Sequence, residues 1–83
     1  MNFNIEQVKL IQIKAIEDMI GSDIIKAIVD AIRNSASKGM ESIGLNYKNY
    51  NIDDKNLPTV KYWLRLCGFE VNLYNTDLMI IKW

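Results

Sequence analysis

Histidine is absent from this 83-residue chain and cysteine occurs once. A Ser–His or Cys–His pair therefore has no base to complete it, a zinc site lacks ligands, and Cys67 has no partner for an internal disulfide. An excess of charge of one sign is missing too, since ten basic residues balance ten acidic ones. A nonspecific duplex-DNA binder displaces counterions with surplus positive charge, so this balance argues against nucleic acid as the main partner. No stretch approaches the roughly 18 uninterrupted apolar residues that span a bilayer, which argues against a membrane partner. The opening MNFNIEQVK lacks a cationic start followed by an apolar core. No signal peptide is legible there, and a cytoplasmic location is the expectation.

What is present is mostly hydrophobic. Apolar residues make up 49% of the chain and charged residues 24%, a globular balance. Halves of so short a chain would be too small to bury a core, so a single domain over residues 1–83 is expected.

Asn4 before Ile5-Glu6-Gln7 predicts a capped helix start, and Ile5, Val8, Ile11, Ala15 and Met19 then recur at helical spacing. Leu10, Ile13, Ile16 and Ile20 lie outside that face, so this first helix is expected to be buried on two sides or to meet a partner. Gly21 ends it, and Ser22 is expected to cap a second helix, with Asp23 at the positive end of its dipole. Ile24, Ile28, Ala31 or Ile32, and Ser35 or Ala36 continue the helical period to Gly39.

Beyond Gly39 the period changes. Ile43, Leu45 and Tyr47 alternate with small polar residues over 41–47, the pattern of a half-buried strand, and KNYNIDDK (48–55) reads as a loop. Asp53 or Asp54 can cap a third helix that tolerates Pro58 in its first turn. Leu57, Val60, Leu64 and Cys67 form its expected buried stripe, with Trp63 beside it. Gly68 stops the helix, and Phe69 stands where a Schellman cap places an apolar contact.

The last residues predict a hairpin with two plausible registers. A three-residue turn at Asn75-Thr76-Asp77 sets Glu70 opposite Lys82, Val71 opposite Ile81 and Phe69 opposite Trp83. A two-residue turn at Asn75-Thr76 sets Glu70 against Ile81 and Phe69 against Lys82. The first pairs opposite charges and joins apolar to apolar, at roughly 0.2–1 kcal/mol per pair, and is preferred. It puts Phe69, Val71, Leu73, Met79, Ile81 and Trp83 on the core face and Tyr74, Leu78 and Ile80 on the other. The expected fold is α+β, ordered α-α-β-α-β-β, with the helices packed on one face of a small, largely antiparallel three-stranded sheet.

Three segments, IIKAIVDAIRNSASKGMESIGL, VKYWLRLCGFEV and LMIIKW, together resemble a group of small proteins encoded by tailed phages. That group shares an Ile/Ala helix ending in glycine, a short strand, an L-x-x-x-G-[FY]-x-V helix–strand junction and a terminal I-x-W strand. Ile28, Ala31, Ala36, Gly39, Ile43, Val60, Leu64, Gly68, Phe69, Val71, Ile81 and Trp83 carry the match, over residues 24–83. Lys82 departs from it, where a small residue such as serine is usual. The resemblance implies a phage or prophage origin, which favours host-interacting or virion-associated roles over metabolism.

Two groups of residues are candidates for function. Tyr47, Lys48, Tyr50, Lys61, Tyr62 and Arg65 interleave aromatics with cations, a set that can stack a base and hold a phosphate. Their plainer reading is a solvated helix face beside an Asn-rich turn, and GLNYKNYN is not a phosphate loop. The second group is an apolar surplus: Leu10, Ile13, Ile20, Leu78 and Ile80 exceed what so small a core takes in, and such clusters mark contact surfaces. Alternatively, the first helix wraps the far face of the sheet and buries them.

The carboxylate pairs read as structural. Glu17 and Asp18 diverge by about 100° around a helix, and Asp53 and Asp54 suit a helix start. Cys67 is expected buried and inert, Trp83 in the core, and Trp63 in the core or at the rim of a contact surface.

The expectation is a non-enzymatic binding protein without a cofactor, forming a homo-oligomer. It would inhibit a host defence protein stoichiometrically or sequester a small nucleotide-like ligand. The alternatives are a minor virion or assembly component and a nucleic-acid-binding accessory protein.

Overall fold

The computed structural model describes residues 3–83, and the strand at the centre of its sheet is the last one in sequence. The elements are α1 (Ile5–Ile20), α2 (Ser22–Ser37), β1 (Ser42–Asn46), α3 (Leu57–Leu66), β2 (Glu70–Leu73) and β3 (Leu78–Lys82). They form an α+β fold in the order α-α-β-α-β-β, with the helices on one side of an antiparallel sheet ordered β1-β3-β2. A central strand meets neighbours at both edges. That position flanks the side chains of the apolar run Leu78-Met79-Ile80-Ile81 with those of a neighbouring strand on either side, Met79 and Ile81 under the helices and Leu78 and Ile80 on the open face.

The hairpin adopts the charge-paired register. Glu70 stands opposite Lys82, Val71 opposite Ile81 and Leu73 opposite Met79. The Tyr74 N–H donates to the Leu78 carbonyl at 2.8 Å, which closes a three-residue turn. Within it the Asn75 Oδ1 accepts from the N–H groups of Asp77 and Leu78, so the side chain stands in for a backbone turn partner. Phe69 and Trp83 meet edge to face with ring centroids 6.5 Å apart.

On the helix side Leu45, Val71, Met79 and Ile81 are buried together with Ile28, Val60, Trp63 and Leu64. Packing there pairs α2 with β1 and α3 with β2, while α1 lies against α3 and α2. Leu73 and Trp83 remain largely exposed at the rim of this face, where the sequence pattern put them in the core. The reason is position. Leu73 closes the edge strand beside the turn, and Trp83 lies beyond the last residue of β3.

Helix ends explain the corners. The Gly68 N–H bonds to the Arg65 carbonyl and the Phe69 N–H to the Leu64 carbonyl, the paired bonds of a Schellman motif, with Gly68 at φ 98°. At the start of α1 the Asn4 Oδ1 accepts from the Gln7 N–H at 3.2 Å, as expected. Neither Asp53 nor Asp54 caps α3 itself: its cap position is Asn56, which has no side-chain cap bond, and the Asp53 Oδ1 instead accepts from the Asn56 N–H at 2.8 Å in the turn that leads into the helix.

Three expectations need correction here. Ser22 is the first residue of α2, and the cap before it is Gly21, which also ends α1; one residue serves both helices, so no separate cap position remains. The first strand stops at Asn46, and residues Tyr47–Tyr50 form a 3₁₀ turn instead of continuing it. Residues 48–55 are also not a plain surface loop. Ile52 is fully buried there, and Asn51 takes a left-handed conformation at φ 61° that turns it inward.

The largest difference lies in α1. The face read as its core side is the outer one, and Ile16 is the residue it buries, with Ile13 and Ile20 packed against the core. Its rotation is fixed by α3. The Trp63 indole Nε1 donates to the Glu17 carboxylate at 3.0 Å and the Gln12 amide donates to the Tyr62 hydroxyl at 2.7 Å. Gln12 and Glu17 border the Ile13–Ile16–Ile20 side from its two flanks, so that side turns inward.

Candidate functional site

Of the six aromatic and cationic candidates, three converge. Tyr47, Lys48 and Lys61 line an open cleft of about 400 Å³ with Asp54, Leu57, Pro58, Leu73 and Thr76. Tyr47 is buried and its hydroxyl donates to the Thr76 carbonyl, which ties the end of β1 to the hairpin turn. The Lys48 ammonium stands 3.2 Å from the Asp77 carboxylate, a hydrogen-bonded pairing that raises its pKa above the usual lysine value. Both partners are solvent-exposed, so the pair holds the turn only weakly.

The other three are directed elsewhere. Tyr50 packs on the core, Tyr62 faces Gln12 on α1, and the Arg65 guanidinium donates to the Val71 carbonyl at 3.1 Å. Lys61 is thus the one cation of the set without a hydrogen bond or ion pair among the described residues. Asp54 and Asp77 balance the two lysines, and a cleft of no net charge has little hold on a phosphate.

Cys67 departs from its expected burial. It follows the last turn of α3 and is exposed, while partial burial of the thiol and the nearby Glu17 charge push its pKa above the ordinary cysteine value. A raised pKa leaves less thiolate at neutral pH. A thiol-reactive disulfide reagent is expected to modify the folded protein completely but more slowly than a free cysteine, with the rate rising steadily into the alkaline range. Complete protection until unfolding would return Cys67 to the core. Among the described residues no three acidic or thiol groups cluster as metal ligands would, and no helix is long and apolar enough to cross a membrane.

The apolar surplus sorts in an unexpected way. Leu10 is exposed, whereas Ile13 and Ile20 are half-buried against the core. Leu78 and Ile80 are half-buried on the face of the sheet that carries no helix. A Cβ added to Gly44 would sit 3.4 Å from the Ile80 Cδ1 and 3.5 Å from a Leu78 methyl, so these two side chains lean over the glycine of the neighbouring strand. Helix α1 does not wrap that face; it lies with the other helices.

The larger exposed surface is the one that periodicity assigned to the interior. Ile5 is 71% exposed, Val8 44%, Ile11 61% and Met19 75%, and Ala15 between them is exposed as well. These positions form one strip along α1, about 21 Å long from Ile5 to Met19 at 1.5 Å per residue. No charge interrupts it. No protein-family model, no curated protein and no solved structure matches the chain.

Proposed function

We propose that the chain is a non-enzymatic binding protein that occupies a partner protein through the outward strip of α1. The observation that supports this reading is the exposure of Ile5, Val8, Ile11 and Met19 on a helix that packs on the core only through its second half, at Ile13, Ile16 and Ile20. A water-facing helix gains nothing from such a face, and an apolar strip that recurs every three or four residues fits the apolar side of one amphipathic helix. The resemblance to small tailed-phage proteins points to a host protein as the owner of that helix. The setting is then the cytoplasm of an infected cell, and the action is stoichiometric inhibition.

Magnitudes limit the affinity. Burying each of the four side chains stabilises the complex by on the order of 1.5–3 kcal/mol, against about 4–15 kcal/mol for association. The strip alone therefore supports weak binding, and tight inhibition needs contacts around its rim. Capture of a nucleotide-like ligand has less support, because five of the six residues proposed for it already have partners within the fold or pack on its core.

A photo-crosslinking residue at Ile11 tests the reading in infected-cell extract. One protein adduct is expected, reproduced with the purified partner at one-to-one stoichiometry and lost when Val8 and Met19 are replaced by lysine. Both substitutions lie on solvent-facing positions and are expected to leave the thermal midpoint within a few degrees of the parent. Adducts unaffected by the lysines, or stronger from a probe at Leu78, would refute the α1 surface.

A further inference from the structure

The two edges of the sheet are treated differently, and the difference points to a second surface. The bond between Tyr74 and Leu78 fixes the alternation along β2, so Glu70 and Asn72 bond to β3 while Val71 and Leu73 turn their backbone groups outward. Arg65 reaches from α3 to the outward Val71 carbonyl and blocks that edge. On the other side the Trp83 N–H donates to the Glu41 carbonyl at 3.0 Å. By the same alternation Ile43 and Leu45 bond to β3, and Ser42, Gly44 and Asn46 turn their N–H and C=O groups away from it. Among the described residues nothing outside β3 bonds to these outward groups. Gly44 and Asn46 are exposed, and the strand, SIGLN, has no charge, proline or bulge to discourage pairing.

We infer that β1 is a dimerisation edge, pairing antiparallel with β1 of a second copy about a two-fold axis at Gly44. This inference stands apart from the α1 docking surface, since it rests on a different element and on backbone groups. The outward register is self-complementary. With Gly44 opposite Gly44 of the partner subunit, Ser42 faces the partner's Asn46 and Asn46 faces the partner's Ser42. Each of these pairs exchanges two bonds, giving on the order of six across the axis.

Between these pairs Ile43 stands opposite the partner's Leu45, which carries the buried face of one sheet into the other. On the open face the missing side chain at Gly44 keeps the axis clear, so Leu78 and Ile80 of both copies flank it. No like charges meet along the strand. Because each chain has one bare edge and one capped by Arg65, pairing closes at two copies into a six-stranded sheet rather than growing into a filament.

The 83-residue chain is expected to sediment at twice its monomer mass at micromolar concentration. Among the described residues the Gly44 N–H has no bonding partner, so Gly44→Pro removes partner bonds without removing a ladder bond and yields a monomer with an unchanged far-ultraviolet spectrum. Cysteine variants made in a Cys67→Ser background read the register independently of that substitution. Gly44→Cys is expected to crosslink to itself under mild oxidation. Ser42→Cys alone is not, yet it is expected to crosslink when mixed with Asn46→Cys. A monomeric parent protein overturns the inference, as does a dimer that dissociates on Ile11→Lys but tolerates Gly44→Pro, or crosslinking without this position dependence.

Discussion

Ile81→Ala is expected to destabilise the fold by about 2–5 kcal/mol, because Ile81 is completely buried at the centre of the helix-facing side of the sheet. The same change at Ile80, one residue earlier on β3, is expected to cost only about 1 kcal/mol, since its side chain lies half-exposed beside Gly44. For a domain of this size each kcal/mol moves the thermal midpoint by about 4–8 °C, so Ile81→Ala should lower it by tens of degrees. Chemical denaturation of the two variants measures the contrast directly. Equal losses would mean that both faces of the strand are covered in solution.

The second large contrast lies one turn apart on α1. Ile16→Ala is expected to cost about 2–4 kcal/mol, because Ile16 is the residue that seats this helix on the core. Met19→Ala, three residues on, is expected to change stability by less than about 0.5 kcal/mol, its side chain being three-quarters exposed. Matched urea titrations decide the matter. A larger loss at Met19 would turn the helix round and put its outward strip inside. Trp63→Phe adds a check on what sets the rotation, since it keeps the packing but deletes the hydrogen bond to Glu17. Its expected effect is a smaller loss, about 1–2 kcal/mol.

These pairs show which parts of the fold are legible from sequence. The hairpin register was readable because charge and apolarity agreed: Glu70 with Lys82 and Val71 with Ile81 fit one alignment and clash in the other. The glycine corners were readable because Gly39 and Gly68 take left-handed conformations that other residues resist. The rotation of α1 was not. Ile5, Val8, Ile11 and Met19 make as good an apolar stripe as Ile13, Ile16 and Ile20, and a period fixes spacing without saying which stripe turns inward. That choice rests on Trp63 and Tyr62, which approach Glu17 and Gln12 from distant sequence.

The candidate ligand set shows the same limit. Lys61, Tyr62 and Arg65 are close in sequence, yet about 100° of rotation per residue sends Tyr62 toward α1 and leaves Arg65 at the β2 edge. Cys67 carried the helical period one step past the point where α3 ends, and there the phase no longer describes burial.

The central place of β3 also governs how the molecule comes into being. During translation α1, α2 and β1 emerge while the strand that will join the sheet is still unmade. Neither β1 nor β2 touches the other, so no partial sheet accumulates beforehand. Assembly of the β layer is therefore one late, long-range step, and until it occurs the nascent chain has only its helices to shelter Ile43 and Leu45 from its neighbours on the ribosome.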